Sequence, residues 1–492
     1  MKKDSSASSM TISTGSRRIA WAAALLGVFL ACSPIQGLAA KGKSPTCTAP
    51  TADLTTAFNC YSSAGGCLDS NFGNPNGYVL TDADDGKPSV NDFGKTQDIV
   101  FQPVTGNIYA VGEFYGSGTA EQVTLLRYTP AGVLDITFGC NPLTYLNSSC
   151  PGVAAGINFP GVVKVPLPYN QTISVAALQP DGKILAAGQT SLPSGSAVLV
   201  VRFNPTGSLD GTFGTGGIVE IATTTSTKTV HGKVVTSTLG FAIDMALQSD
   251  GKIVIVGGGV VRLNTDGTPD VNFGTSGISP GVGYAIALQT VGTEQRILVG
   301  GGSLLYRLTS SGTLDTTFGP SMTGQVVTES CGGRDNISGL ALDSDGRIIV
   351  GGSVSVGTTD NFAVTRYSAD GTLDTSFGGF NAPRGLSIVS PFGGDTENSP
   401  KGLVQEADGT IVLMGTANDP AGDSRFALVG FTQYGLPDNA FGTGGAVVPE
   451  IGTNTQYEVG FRARIDGNGK IVMGGAVEPS TTVYNAVARF WP

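Results

Sequence analysis

The chain has 492 residues, of which 73 are glycine and only 13% are charged, with a net charge of −10. So much glycine suits many short strands joined by tight turns and excludes a packed helical protein. The acidic balance, with no basic cluster in the mature part, excludes a surface that tracks nucleic-acid phosphates. It suits a soluble exported protein, or one that attracts cations.

Residues 1–39 read as an export signal. Lys2, Lys3, Arg17 and Arg18 form a positive region, an apolar run follows from Ile19 to Ala31, and Gly37 and Ala39 stand at −3 and −1 of a cleavage site. The run is too short to span a bilayer comfortably, and no second one follows. Ser16-Arg17-Arg18 has the form of a twin-arginine signal without the apolar residues that should come next. Phe29-Leu30-Ala31-Cys32 offers another reading, lipid anchoring at Cys32, although Phe29 fits a lipobox poorly. The expected address is therefore periplasmic, cell-surface or extracellular, in a bacterium.

Residues 40–65 read as a linker, and with it begin the six cysteines left after cleavage: Cys47, Cys60, Cys67, Cys140, Cys150 and Cys331. An even count behind an export signal indicates disulfides. Cys140 with Cys150 closes one short insertion and Cys60 with Cys67 another, which leaves Cys47 with Cys331. Zinc is disfavoured, since there is no Cys-x-x-Cys and His231 is the sole histidine. Asp82-Ala83-Asp84-Asp85-Gly86 is similar to the start of a calcium loop through Asp82, Asp84 and Asp85. Its spacing is one residue short and the bidentate Glu is missing, so a solvated turn competes with it. No other cofactor is expected.

From residue 66 to 492 one pattern, Gly-x-(Leu/Pro)-Asp-x-x-Phe-Gly, recurs seven times. Its aspartates are Asp69, Asp135, Asp210, Asp270, Asp315, Asp374 and Asp438, spaced by 66, 75, 60, 45, 59 and 64 residues. A period of this length denotes units that bury their apolar faces only against one another. In the third repeat, Ala242–Leu247 leads through Asp250-Gly251 to Ile253–Val256. Three glycines, Val260–Leu263, a turn and a last apolar stretch follow. Asp-Gly between strand-like runs predicts a hairpin with a type I′ turn, and it recurs at Asp181, Asp345 and Asp408, with Asn468-Gly469 in the last repeat. The fourth repeat is expected to carry a longer loop, Thr290–Gln295.

Four antiparallel strands per repeat predict an all-β, seven-bladed β-propeller. The chain ends on Ala488-Arg489-Phe490-Trp491-Pro492, which matches a third strand, while the Cys67–Val79 block supplies only a fourth. The ring is thus expected to close by pairing of the N-terminal strand with the C-terminal blade, leaving no sheet edge. An arginine also stands eight residues before the aspartate in Arg127/Asp135, Arg202/Asp210, Arg262/Asp270, Arg307/Asp315 and Arg366/Asp374. The sixth repeat has Gly430 instead, and Arg489 is expected to meet Asp69 across the closure. Such pairs read as structural, since a group present in every blade points around the ring rather than into one site.

Together, Leu-Asp-x-x-Phe-Gly-x-x-Gly, Leu-Gln-x-Asp-Gly-Lys-Ile and x-x-Arg-Phe/Leu-Asn resemble the delta-60 repeat family of predicted bacterial propellers. The match runs from about Gly66 to the C-terminus. The resemblance implies an exported propeller of uncharacterised function and supplies no catalytic residues. The sixth repeat (Gly430, Pro437) and the altered turn of the fourth depart from its pattern.

Catalytic motifs are not found. His231 sits alone in a Thr-rich loop, there is no Gly-x-Ser-x-Gly elbow, and Gly94-Lys95-Thr96 has Ser89 where a P-loop needs its first glycine. Variation is expected on the face that carries the second-to-third and fourth-to-first links. Long links are Gly139–Tyr169, Thr223–Thr238, Gly378–Ser399 and Glu113–Gln122, whereas Gly257–Val260 and Gly300–Leu304 are minimal. Variable loops on a rigid scaffold are where binding sits. The expected function is non-enzymatic binding or scaffolding of a glycan, envelope component or protein. The alternative is an extracellular carbohydrate-active hydrolase or lyase using carboxylates near the central channel.

Overall fold

The computed structural model describes residues 47, 65–82, 93–115, 120–139, 161–165, 167–222, 225–230, 233–279, 281–328, 335–392, 398–452, 457–479 and 482–492. All lie in one compact unit, Pro45–Pro492. Among them there is no helix, and hence none long and apolar enough to cross a membrane. The proposed signal, Cys32, Cys60, Asp84, Asp85, Cys140, Cys150, His231 and Cys331 lie outside the described residues.

Strand β1 (Tyr78–Thr81) precedes a series of antiparallel sheets. The first repeat is β2 (Phe93–Phe101), β3 (Ile108–Tyr115), β4 (Gln122–Tyr128) and β5 (Val162–Val165). The second is β6 (Gln171–Leu178), β7 (Ile184–Leu192), β8 (Gly195–Phe203) and β9 (Ile218–Ala222). A separate hairpin, β10 (Thr225–Val230) with β11 (Lys233–Thr238), fills the link to the third repeat. That repeat is β12 (Ala242–Leu247), β13 (Ile253–Gly257), β14 (Val260–Leu263) and β15 (Ile278–Ser279). The fourth is β16 (Ala285–Val291), β17 (Glu294–Gly301), β18 (Leu304–Leu308) and β19 (Gln325–Val327). The fifth is β20 (Asp335–Leu342), β21 (Ile348–Val356), β22 (Thr359–Tyr367) and β23 (Leu386–Val389). An eight-stranded sheet completes the set. One half is β24 (Asn398–Gln405), β25 (Ile411–Asn418), β26 (Ser424–Phe431) and β27 (Ala446–Val447). The other is β28 (Tyr457–Ile465), β29 (Ile471–Glu478) and β30 (Tyr484–Phe490), with β1 added to β30 as Tyr78↔Ala488 through Thr81↔Asn485. The two halves share a single parallel pair, Ser424↔Tyr457.

The core lies between consecutive sheets. Val100, Tyr109 and Leu125 of the first repeat, for example, pack on Ile184, Leu199 and Phe203 of the second. The first strands also pack in order, β2 on β6, β6 on β12, and so on to β28, which packs back on β2. Most bulge by one residue at the same level, between Thr96 and Asp98, Ile173 and Val175, Ala242 and Asp244, Ile337 and Gly339, and Pro400 and Gly402; β28 shifts between Gly460 and Ala463. A bulge re-aims the side chains that follow it.

Three expectations are corrected. The Asp-Gly hairpins are not type I′: Gly251 alone is left-handed (φ 82°), while Asp250 is not. Gly251 N–H donates to Gln248 O and Gln248 N–H to Lys252 O, both at 2.9 Å, which is a three-residue loop closed by a left-handed glycine. The Asp250 carboxylate accepts the Lys252 N–H (3.1 Å), which holds it in the non-left-handed turn. In the fourth repeat the strands run further than expected, to the pair Val291↔Glu294. The Thr290–Gln295 loop is therefore a two-residue Gly292-Thr293 turn with Gly292 at φ 63°. Finally, Gly161 N–H donates to Phe138 O (3.1 Å) as Gly217 does to Phe213 (2.9 Å). The insertion after Gly139 thus enters before the fourth strand, at the end opposite the links assigned to the variable face. Gly378–Ser399 is likewise divided between the two ends by β23.

The phenylalanine of each recurring block is fully buried and presses on the first glycine of the next block. A Cβ on Gly132 would come within 2.8 Å of Phe72; the same distance separates Gly207 from Phe138, Gly267 from Phe213, Gly312 from Phe273 and Gly371 from Phe318. Gly435 on Phe377 is tighter, at 2.5 Å. Gly66 meets Phe441 at 3.2 Å, so the N-terminal block receives the phenylalanine of the sixth repeat. Each of these glycines is left-handed, Gly267 at φ 89°. Gly267→Ala should therefore cost about 1–2 kcal/mol in backbone strain and about 1–3 kcal/mol more in overpacking against Phe213. Gly216→Ala, left-handed at φ 64° with nothing within 4 Å of its Cβ, should show the strain alone. Urea denaturation of the two variants checks this, and equal losses would contradict the glycine–phenylalanine joint.

Candidate functional site

Two ends and one cavity hold the polar groups from which a site can be built. At the end that carries the Asp-Gly turns, each arginine of a third strand lies over the phenylalanine of its own block. Its Cζ is 4.5 Å from the Phe138 ring for Arg127, 4.3 Å from Phe213 for Arg202, and 4.8 Å from Phe72 for Arg489. The guanidinium pairs with the block's aspartate: Arg127–Asp135 and Arg202–Asp210 at 2.7 Å, Arg262–Asp270 at 2.8 Å, and Arg307–Asp315 and Arg366–Asp374 at 2.9 Å. Arg489 and Asp69, 420 residues apart in sequence, pair at 3.0 Å.

The remaining guanidinium nitrogen of each arginine donates to the next repeat's turn. Arg202 reaches Thr265 O and Arg262 reaches Ser310 O, both at 2.5 Å, and Arg366 reaches Gln433 O at 2.8 Å. Arg489 reaches Pro130 O at 2.6 Å. The lysine after Asp-Gly joins the same carboxylate, Lys183 to Asp210 at 3.1 Å and Lys252 to Asp270 at 3.2 Å. Burial pushes the Asp210 carboxyl up, but the Thr212 hydroxyl and amide, with Lys183 and Arg202, outweigh it and hold it well below the usual range. Polar groups so fully paired hold the repeats together and offer a ligand little.

The sixth repeat lacks both cations. Gly430 replaces the arginine and Thr410 the lysine, so Asp438, Asp408 and Glu406 share one turn region. Burial, then Asp408 and Asp438, push the Glu406 carboxyl up to about 7.

The cavity lies where first strands of several repeats converge, with Asp244, Ser338, Gly402, Arg462 and Arg464 among its lining and a volume of about 110 Å³. Asp98 accepts the N–H of Ile99 (2.8 Å) and of Ala176 (2.9 Å), and Arg464 through Nε (3.2 Å) and Nη2 (2.7 Å). Asp244 accepts the N–H of Met245 (2.9 Å) and of Ile286 (3.0 Å), and Arg462 Nη1 (3.0 Å). Two arginines of β28 thereby tie down β2 and β12. Asp98, beyond its other partners, holds the guanidinium of Arg464 firmly protonated.

At the opposite end, where the first strands begin, four titratable groups meet from β2, β3, β28 and the residue just before β4. Lys95 Nζ lies 3.4 Å from Glu113 Oε1, which also accepts Gln97 Nε2 at 3.4 Å, while Glu113 Oε2 accepts the Ile173 N–H at 3.3 Å. Glu121 and Tyr457 lie close enough to act on Lys95. Burial, with the Glu113 charge, raises the Glu121 carboxyl, and burial raises the Tyr457 phenol. A carboxyl with a raised pKa beside a lysine-bridged one, with a 38%-exposed Tyr457, offers hydrogen-bonding groups to a hydroxyl-rich or peptide ligand.

Asp82 is half-buried and partnered, while Asp84 and Asp85 lie outside the described residues. Cys47 and Cys67 are each disulfide-bonded; their pairing with Cys60, Cys140, Cys150 and Cys331 involves positions outside the described residues. Sequence reasoning missed Asp98, Asp244, Lys401, Arg462 and Arg464, and also Lys95, Glu113, Glu121 and Tyr457. Asp98 and Asp244 share one position after the bulge in two repeats, and the others do not recur. The available signal was a charge inside an otherwise apolar first strand.

Five segments, 105–138, 179–213, 248–273, 296–318 and 344–377, match the family described as "Domain of unknown function (DUF5122) beta-propeller". The repeats are those of a β-propeller family. No curated protein matches the sequence. Among solved structures the chain is similar to the polysaccharide lyase Uly1, at 11% identity and a TM-score of 0.42, over 90% of this chain and 99% of that one. It is similar also to Sqt1 from Chaetomium thermophilum (12%, 0.39, covering 84% and 99%) and to a glucose dehydrogenase (11%, 0.35, covering 82% and 99%).

Because the Glu406 carboxyl is raised, the native state holds its proton more tightly than the unfolded chain. Stability therefore falls as pH rises from about 4.5 to about 7 and stays lower above. Glu406→Gln, the residue type that Gln179 and Gln248 supply at this turn position, should raise Tm at pH 8 by about 1–3 °C and leave it unchanged at pH 4. Thermal melts at the two values check this.

Proposed function

We propose that this protein is an exported, non-enzymatic binding or scaffold propeller that recognises a glycan, envelope component or protein through the end where its first strands begin. The carrying observation is the division between the two ends. One repeats the same closed arginine–aspartate–phenylalanine joint, whereas the other carries Lys95, Glu113, Glu121 and Tyr457 once only. A group present once marks a site; a group present in every repeat marks the frame.

The frame in this reading is a seven-bladed ring of delta-60-like repeats spanning 66–492, behind a signal at 1–39 and a linker at 40–65. The seventh blade is β28–β30 with β1. Support comes from the β1–β30 pairing, the return of β28 onto β2, and the Arg489–Asp69 pair. The disulfide reading (Cys60–Cys67, Cys140–Cys150, Cys47–Cys331) is supported by Cys47 and Cys67, neither of which is a free thiol. A carbohydrate-active hydrolase or lyase is the second reading. It is favoured by one observation, the raised carboxyl of Glu121 beside Glu113.

The test is a thermal-shift screen of the mature protein against neutral and acidic polysaccharides, calcium and chelator, followed by titration of any responder. A ligand at about 100 times its Kd adds roughly 2.7 kcal/mol to the folded state. Tyr457→Ala should weaken a responder at least tenfold, while Arg127→Met, at the other end, should leave its affinity unchanged even as it lowers Tm. The opposite pattern would place recognition on the jointed end and defeat the reading. Turnover of a bound polysaccharide, lost in Glu121→Gln, would establish the enzyme instead.

A further inference from the structure

The cavity contains hydrogen-bond donors that its own carboxylates do not use. Asp98 and Asp244 are occupied: each accepts two main-chain N–H groups and an arginine. Arg464 uses Nε and Nη2 on Asp98, and Nη2 also on Ala176 O, leaving Nη1 without a partner among the described residues, on a side chain 38% exposed to the cavity solvent. Ser338 Oγ is buried and has no hydrogen-bond partner there either. Lys401 has neither an ion pair nor a hydrogen bond among the described residues.

Lys401 takes in β24 the bulge position that Ser338 takes in β20. The two strands abut there, a Cβ on Gly339 meeting the Leu403 nitrogen at 2.7 Å and the Gly402 carbonyl carbon at 3.1 Å. Both bulge residues are half-buried between buried neighbours; Ser338 lines the cavity, and Lys401 directly precedes Gly402, Leu403 and Val404, which line it too. Desolvation lowers the Lys401 pKa, as expected for a cation with no counter-ion.

We propose that this cavity is an oxyanion site, in which Lys401 Nζ, Arg464 Nη1 and Ser338 Oγ receive a carboxylate or sulfate group carried by a small ligand. An ammonium, a guanidinium edge and a hydroxyl are the donor set that such a group accepts from. The fixed carboxylates hold Arg462 and Arg464 in place, so the donors are oriented before the ligand arrives. The cavity volume of about 110 Å³ admits a bare ion or the charged end of a small ligand. The proposal deepens the binding reading and rests on it for the direction of entry: the charged group goes deep, and the remainder of the ligand lies toward Lys95 and Tyr457.

The experiment is calorimetric titration of the mature protein with sodium glucuronate, sodium sulfate and glucose, at constant ionic strength in chloride. Saturable binding of glucuronate or sulfate is expected, with none of glucose; the stronger of the two identifies carboxylate or sulfate as the preferred group. Lys401→Met should weaken it at least tenfold while its Tm without anion stays at or above that of the parent protein, since an unmatched cation is removed. Ser338→Ala, which changes no charge, should weaken it several-fold and serves where Lys401→Met fails to fold. Absence of saturable anion binding, or equal affinity in the parent and both variants, overturns the site. If polysaccharides bind the outer end without dependence on Lys401, the anion site fails and the binding face stands. If glucuronate or sulfate binds through Lys401 while no polysaccharide or protein binds the outer end, the face reading fails and the anion site stands.

Discussion

A phenylalanine ring lying on a glycine of the next repeat is the contact on which the other features depend. A sheet of four short strands has two apolar faces and cannot be stable alone, so each must find a fixed seat on its neighbour. Phe213 on Gly267 gives that seat, because the missing side chain lets the ring approach the backbone, and the left-handed φ of Gly267 turns the chain away from it. Arg202 then covers a face of the ring. Its guanidinium is held by Asp210 and extends to Thr265 O, in the same turn that supplies Gly267. The Gly214 N–H adds a further bond to Asp266 O. Glycine, aspartate, phenylalanine and arginine are four parts of one joint, which is why they recur at fixed spacing while the sequence between them drifts.

That coupling also explains what was legible in the sequence. The strands, their grouping in fours and the residues of the joint could be read because the same physical demand is met repeatedly. Turn geometry was less legible: Asp-Gly suits both a type I′ turn and a three-residue loop, and the choice depends on whether the aspartate itself turns left-handed. Asp250 instead accepts the Lys252 N–H, a local bond that no periodicity reveals. The insertion after Gly139 was assigned to the wrong end because β5 is a strand of four residues, too short to stand out beside a long irregular segment. The cavity was not legible at all. Asp98 and Asp244 share a position in only two repeats, Lys401, Arg462 and Arg464 each occur once, and the bulges that aim the acids are properties of strand pairing rather than of composition.

The distribution of charge follows the same division. In the joints other than the sixth, the carboxylate faces a guanidinium, a neighbouring amide and in three cases a lysine, and the balance is closed within a few ångströms. In the cavity the carboxylates are closed as tightly, by main-chain N–H groups of adjacent first strands, but the cations exceed them. An acidic protein of net charge −10 has thus gathered lysine and arginine where its own backbone already neutralises the acids. Such an arrangement does not add to folding stability, because a cation without a counter-ion is penalised by burial. The proposed oxyanion would supply the counter-charge that the fold does not.

The departure of the sixth repeat has a different cause, and it concerns how the chain ends are joined. In other repeats the arginine is directed at a carbonyl in the following hairpin turn. After the sixth, the following turn is made of two separate ends: Gly65 and Gly66 from one side, Trp491 and Pro492 from the other. Gly442 N–H still donates to Gly65 O at 3.0 Å, and Gly66 still lies on Phe441, so half of the joint survives. A side chain at Gly430 would meet Phe441 at 2.6 Å, so the ring itself fills the place the arginine takes elsewhere. With the arginine absent, the lysine of the neighbouring turn has no shared carboxylate network to complete, and Thr410 stands in its position. The cost falls on Glu406, Asp408 and Asp438, which remain as acids without cations. The raised carboxyl of Glu406 is therefore the electrostatic trace of the point where the chain ends meet.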